Sequence, residues 1–255
     1  MLKQKLIAAC FVIMAFTLVT AFVQAKKIRV YLIGDSTMAN KEVKAYPETG
    51  WGMPFTYFFD SSVVVDNRAK NGRSTKSFLG EKLWQSVISN LNAGDYVFIQ
   101  FGHNDEVKEK TDRYTTPEEY KNNLRLFIRE TKDKKGIPVL LTPVTRRNFD
   151  KDGNVEETHK VYSALVREVA NETKVAFIDM DEKSRELLKQ FGEANSKLLY
   201  LQLQPGENPN YPEGKNDNTH FNELGARKMA EIVLKEVQLQ KLDLADHVVK
   251  PKIKK

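Results

Sequence analysis

Cysteine is almost absent from this chain. The single one, Cys10, lies in the first apolar segment. If that segment is removed, disulfides, thiolate catalysis and cysteine metal sites are all excluded. Histidine is scarce as well, with four, at 103, 159, 220 and 247. No His-x-His or His-Glu-x-x-His occurs, which disfavours a metallohydrolase, and the chain asks for no metal or other cofactor. Gly-x-Ser-x-Gly, the elbow of the common α/β-hydrolase fold, is missing too. There is no internal repeat, no low-complexity stretch and no coiled-coil pattern. Basic and aromatic residues do not interleave in a stripe, so a nucleic-acid partner is not expected. Charge is nearly balanced: 40 Lys and Arg against 34 Asp and Glu leave +6, a mild bias that could favour an acidic substrate. The length of 255 residues suits one globular domain with long loops.

The N-terminus stands apart. Lys3 and Lys5 give a basic start, Leu6 to Phe22 is an apolar run, and Val23-Gln24-Ala25 offers small residues for cleavage. This is the plan of a secretory signal peptide, so residues 1–25 are expected to direct export to the periplasm or the exterior. The run is slightly short for a membrane span, and Lys26-Lys27 follows it, so stable membrane insertion is not expected. Ile7-Ala8-Ala9-Cys10 looks like a lipoprotein attachment box, but it falls too early in the apolar run, which makes lipid anchoring the lesser reading. Residues 26–240 form the expected catalytic domain. Residues 241–255, with Lys250, Lys252, Lys254 and Lys255, are expected to be a solvated basic tail.

Five short apolar runs are expected as strands: Ile28 to Ile33, Ser62 to Val65, Tyr96 to Phe101, Ile137 to Leu141 and Val175 to Ile178. Between and after them lie helical patterns over Lys82 to Leu91, Pro117 to Lys132, Glu157 to Glu172 and Phe221 to Val237. The third of the runs leads, through Thr116 as an N-cap and Pro117 at the first turn, into the second of these helices. Alternation of this kind predicts an α/β fold with a parallel sheet covered on both faces. Reactive loops then lie beyond the carboxyl ends of the strands.

Chemistry-bearing residues stand at those ends. Gly34-Asp35-Ser36-Thr37 follows the first strand, where a serine hydroxyl and backbone N–H groups can face one point. Taken alone, it reads more readily as an ordinary Asp/Ser helix cap. Asn71-Gly72-Arg73-Ser74 follows the second strand, and Gly72 could present its N–H to a ligand. Gly102-His103-Asn104-Asp105 follows the third, and Asn104 could donate its amide to an oxyanion. Asp217-Asn218-Thr219-His220 precedes the last helix. Across a tight turn its carboxylate could accept the imidazole Nδ1 proton and leave Nε2 free as a base. Each motif has a bland reading as a turn or cap. Together they supply a nucleophile (Ser36), oxyanion donors (Ser36, Gly72, Asn104), a base (His220) and its orienting acid (Asp217), a combination far harder to meet by accident. Asp105 and Glu106 as a two-carboxylate glycosidase pair are poorly supported.

These blocks resemble those of the SGNH, or GDSL-type, hydrolase superfamily. Ser36, Gly72, Asn104 and His220 match its four namesake residues, and Asp217 matches its acid. Gly34 to Ala39, Gly50-Trp51-Gly52, Asn67-Arg68-Ala69, Gly102 to Asp105 and Thr142 to Arg147 are similar to one branch, the rhamnogalacturonan acetylesterases. The likeness runs from about Ile28 to Val237. It implies a three-layer α/β/α sandwich with a five-stranded parallel sheet, flavodoxin-like, and metal-free removal of acetyl groups from acetylated pectic polysaccharide. Esterases of other acetylated glycans such as xylan, GDSL-type lipases or thioesterases, and a non-catalytic glycan-binding protein are the competing expectations. Arg73, Arg146 and Arg147 could reach a uronate carboxylate, and Trp51 could stack on a sugar ring, although solvated loops and core packing explain these residues as well. Oligomeric state is not readable.

Overall fold

The structure is a computed structural model and describes residues 27–250. The expected export signal, residues 1–25, and the last five residues lie outside the described residues. Among the described residues seven strands are formed: β1 (Ile28–Gly34), β2 (Val63–Asn67), β3 (Tyr96–Gln100), β4 (Ile137–Leu141), β5 (Ala176–Ile178), β6 (Tyr200–Leu203) and β7 (Lys215–Phe221). The helices are α1 (Gly52–Phe55), α2 (Thr75–Gly80), α3 (Leu83–Ile88), α4 (Pro117–Asp133), α5 (Lys160–Thr173), α6 (Met180–Ser196) and α7 (Glu223–Leu239), with short 3₁₀ turns between some of them.

The first five strands pair in parallel in the order β2-β1-β3-β4-β5. Their side chains alternate between the two faces, as the twofold period of a strand requires. Val30, Leu32, Phe98, Val139 and Leu141 pack in one core with Phe55, Leu188, Met229 and Val233 from α1, α6 and α7. Tyr31, Ile33, Val97, Ile99 and Leu140 pack in the other with Trp84, Leu124, Phe127 and Val166 from α3, α4 and α5. Both faces are therefore covered, which is why these strands read as unbroken apolar runs. The result is the expected three-layer α/β/α sandwich. β1 pairs with both β2 and β3, so the chain reverses its direction of travel across the sheet there. Such a switch point opens a crevice at the carboxyl ends of the strands.

Three features depart from the sequence expectations. β6 and β7 form a separate antiparallel hairpin, and α6 precedes it. Phe221, expected as the start of the last helix, closes β7; the helix begins at Glu223, with the Asn222 side chain accepting from Gly225 N. The segment after 241 is not a loose tail over its described part. Leu244 is fully buried, Asp60 N donates to His247 O, and Val249 N donates to Phe58 O. The apolar Leu242, Leu244 and Val248 in this stretch explain the difference: they find a place on the core that a count of its lysines does not reveal. Among the described residues, no helix is long and apolar enough to cross a membrane.

Candidate active site

The turn after β1 carries Ser36. Met38 N and Ala39 N both donate to Asp35 O, so the chain makes a tight turn rather than entering a helix at once. Several layers hold this turn. Trp51 N donates to Thr37 O and Gly52 N to Met38 O. A Cβ on Gly50 would lie 2.0 Å from Ala39 O, and one on Gly52 would lie 2.4 Å from the Asn67 amide, so both positions need glycine for close approach. Asn67 Nδ2 donates to Met38 O and to Asn40 Oδ1, each at 2.9 Å. A buried chain of hydrogen bonds runs from Trp51 Nε1 to Gln100 Oε1, from Gln100 Nε2 to Thr37 Oγ1, and from Thr37 Oγ1 to Asp35 Oδ1. Asp35 is fully buried, and its other oxygen lies 3.3 Å from His103 Nδ1. Burial alone would raise the Asp35 carboxyl. The neighbouring His103, with the Thr37 N–H and hydroxyl, outweighs it and lowers the carboxyl to about 2.

The turns after β2 and β3 are bolted to each other. Asp105 Oδ1 accepts from Thr75 N (2.9 Å) and Thr75 Oγ1 (2.6 Å) at the start of α2, and from Thr115 Oγ1 (3.0 Å). Burial pushes this carboxyl up to about 7. Asp105 is thus a buried fastener between two loops, its Oδ1 taken up by Thr75 and Thr115. Arg113 completes the join: its Nη1 donates to Gly72 O at 3.2 Å and to Asn104 Oδ1 at 3.3 Å. A guanidinium can only donate, so it fixes which way the Asn104 amide points. Asn104 Nδ2 then donates one hydrogen to Arg73 O (3.0 Å) and keeps a second. Gly72 has φ +75°, and a Cβ there would meet Arg113 Nη1 at 3.1 Å, so glycine is needed at this position.

The histidine comes from the hairpin. Leu201 is opposite Asp217, but the next pair is Tyr200 with Phe221. Residues 218–220 therefore bulge out of β7 and carry His220 toward Ser36. The turn expected here from sequence is this bulge. His220 Nε2 lies 2.9 Å from Ser36 Oγ, and His220 Nδ1 lies 2.8 Å from Asp217 Oδ2. Asp217 Oδ1 also accepts from Thr219 N and His220 N. Burial would raise the Asp217 carboxyl, but the His220 ring and those N–H groups hold it well below the usual carboxylate range. An ionised Asp217 favours the Nδ1–H tautomer and leaves Nε2 to accept the Ser36 proton.

Ser36, Gly72, Asn104, Thr219 and His220 line one cleft of about 440 Å³, together with His103, Arg113 and Arg146. Four of the five residues expected to carry the reaction thus line one cleft, and the fifth, Asp217, stands behind them on His220 Nδ1. The four expected substrate contacts do not. Trp51 is wholly buried and holds Gln100, so it cannot stack on a sugar. Arg147 is buried: its Nε donates to Ser196 Oγ, Nη1 to Asn218 Oδ1 and Nη2 to Glu193 O, while its N donates to Asn218 O. It braces the histidine bulge instead of meeting substrate. Arg73 is tied to Glu81 at 2.9 Å and to Asn71 O and does not line the cleft. Arg146 alone of the four borders the cleft, with its Nη1 2.7 Å from Glu106 Oε1. Arg113 was not foreseen, because it stands in a polar loop far from any strand end. Among the described residues, no group of three or more His, Cys, Asp or Glu is arranged to hold a metal ion.

Comparison with known proteins gives a consistent picture. The model of the GDSL-like lipase/acylhydrolase family matches residues 32–228. The rhamnogalacturonan acetylesterase RhgT of Bacillus subtilis is 40% identical over 224 residues, 88% of this chain and 95% of that protein. The probable rhamnogalacturonan acetylesterase YesY of the same organism is 33% identical, over 87% of this chain and 97% of that protein. Among solved structures, YxiM of Bacillus subtilis superposes with a TM-score of 0.74 at 25% identity, covering 86% of this chain and 58% of that one.

Proposed function

The chain belongs to the GDSL-like lipase/acylhydrolase family, and from that premise we propose that it is a serine esterase removing O-acetyl groups from rhamnogalacturonan or a closely similar pectic polysaccharide. The observation that carries the chemistry is the relay of 2.9 Å from Ser36 Oγ to His220 Nε2 and 2.8 Å from His220 Nδ1 to Asp217. The intact relay favours catalysis over a non-catalytic glycan binder. The substrate class comes from the two acetylesterases to which the chain is similar along most of its length.

His220 takes the Ser36 proton as Ser36 Oγ attacks the acetyl carbonyl carbon. Asp217 stabilises the imidazolium that forms. The oxyanion is met by the N–H groups of Ser36 and Gly72 and by the free hydrogen of the Asn104 amide. His220 then returns the proton to the departing sugar hydroxyl, leaving acetyl-Ser36. Water, deprotonated by the same histidine, attacks this ester; the bond to Ser36 Oγ breaks, His220 returns the proton to Oγ, and acetate leaves. Arg146 stands where it could exchange part of its pairing with Glu106 for a substrate carboxylate.

Export belongs to the same reading. Lys3, Lys5, the apolar run to Phe22 and the small residues around Ala25 support a signal peptide and a periplasmic or extracellular enzyme, where a polymer too large to enter a cell is met. The test is acetate release from acetylated pectic polysaccharide, acetylated xylan and a small aryl acetate, in parallel. Preference for the pectic polymer is expected; preference for xylan overturns the substrate assignment.

A further inference from the structure

A second hollow, of about 480 Å³, adjoins the catalytic cleft. Glu48 lines both, so the hollow lies next to the catalytic cleft. The wall between them is the segment 41–49, which leaves the nucleophile turn directly. It is held on several sides. Lys41 Nζ, almost entirely buried, lies 2.7 Å from Glu48 Oε1. Asn210 Nδ2 donates to Val43 O and Tyr46 O, and Tyr211 OH donates to Ala45 O at 2.9 Å. This side of the hollow is therefore tied to the body of the protein next to the Ser36 turn.

Its lining is unusual for a solvent-facing surface. Tyr57 is 77% exposed, although Phe55 and Phe59 on the same short segment are buried in the core. Tyr46 is 48% exposed, and its hydroxyl donates to Glu223 at 2.7 Å, which fixes the ring. Met53 and Pro54 add apolar surface. Exposed aromatic rings gathered at a groove mark a binding surface. A sugar ring is a matching occupant, with an apolar C–H face for the aromatics and hydroxyls at its rim for the carboxylates of Glu42 and Glu223. The groove's charged lining is three glutamates against Lys41 and Arg227, so it favours a neutral ring over a uronate.

We propose that this groove is a distal subsite that holds a neutral sugar of the same polysaccharide chain whose acetylated residue lies at Ser36, with Tyr57 as its stacking platform. The inference rests on the polysaccharide esterase reading above. The test compares Tyr57→Ala and Tyr57→Phe with the wild type on acetylated pectic polysaccharide and on 4-nitrophenyl acetate. Tyr57 is exposed, so neither variant disturbs the core. Tyr57→Ala is expected to raise KM for the polymer about three- to tenfold, with kcat and the aryl ester kinetics unchanged. Tyr57→Phe, which keeps the ring, is expected to match the wild type. An equal effect on both substrates, or none on either, overturns the subsite. A defect shared by Tyr57→Phe overturns the stacking role. If the wild type cleaves the aryl ester but no pectic polymer, the function reading itself fails and the subsite fails with it.

Discussion

The two halves of the relay are built differently. Ser36, Gly72 and Asn104 sit on turns rooted in the central parallel sheet and cross-braced by buried groups: Trp51, Gln100, Asp35 and Asp105. Asp217 and His220 come from a bulge in a two-stranded hairpin outside that sheet, and both are partly exposed. The serine side is fixed by the fold itself. The histidine side is fixed by a few local contacts, chiefly Arg147 and Gln202 to Asn218. A mutation on the first side therefore tests the sheet's loops, and one on the second tests whether a peripheral element has been placed correctly.

The largest effects should come from breaking the relay. Ser36→Ala and His220→Ala are each expected to lower kcat by about 10⁴-fold or more with the fold retained, as measured by aryl acetate turnover and circular dichroism. Next, Asn104→Ala should cost on the order of 10²–10³ in kcat through the lost oxyanion donor, with KM little changed. Near wild-type turnover there would remove Asn104 from the oxyanion site. Arg147→Met probes the histidine side alone. It removes a buried set of donors and should cost about 2–4 kcal/mol in urea unfolding, with a drop in kcat. A stable, fully active variant would show that the bulge does not need its brace.

Smaller is the pH effect behind the serine side. Burial, with His103 alongside, pushes His159 down to about 4 from 6.5. The unfolded chain takes up that proton before the folded one does. Stability from this site is thus complete above about pH 6.5 and is lost as pH falls toward 4, by up to about 3 kcal/mol. His159→Gln should flatten that limb of the unfolding free energy. The smallest effect expected is that of a chelator, which should leave turnover on the aryl ester unchanged.

This contrast also explains what could be seen in the sequence. The serine-side motifs each lie within a few residues of the end of an apolar strand, so the strands that locate the sheet also locate Ser36, Gly72 and Asn104. Asp217 and His220 are legible through their spacing and the scarcity of histidines, not through their element. β7 is polar along Lys215 to Thr219 and gives no strand pattern; only its pairing with β6 makes it one. Arg147 and Trp51 misled for a related reason. Sequence shows a residue type suited to sugar or carboxylate, but burial decides whether it faces substrate, and burial is a property of the packed structure. Arg113 was hidden because its partners, Gly72 O and Asn104 Oδ1, lie 41 and 9 residues away in the chain.

Catalysis here depends on a histidine from the hairpin activating a serine from the sheet. Labelling with a fluorophosphonate, followed by peptide mass spectrometry, tests it most directly. One adduct is expected, on the peptide holding Ser36, formed far more slowly in His220→Ala. An adduct on another residue, or labelling of Ser36 at the full rate without His220, would contradict it.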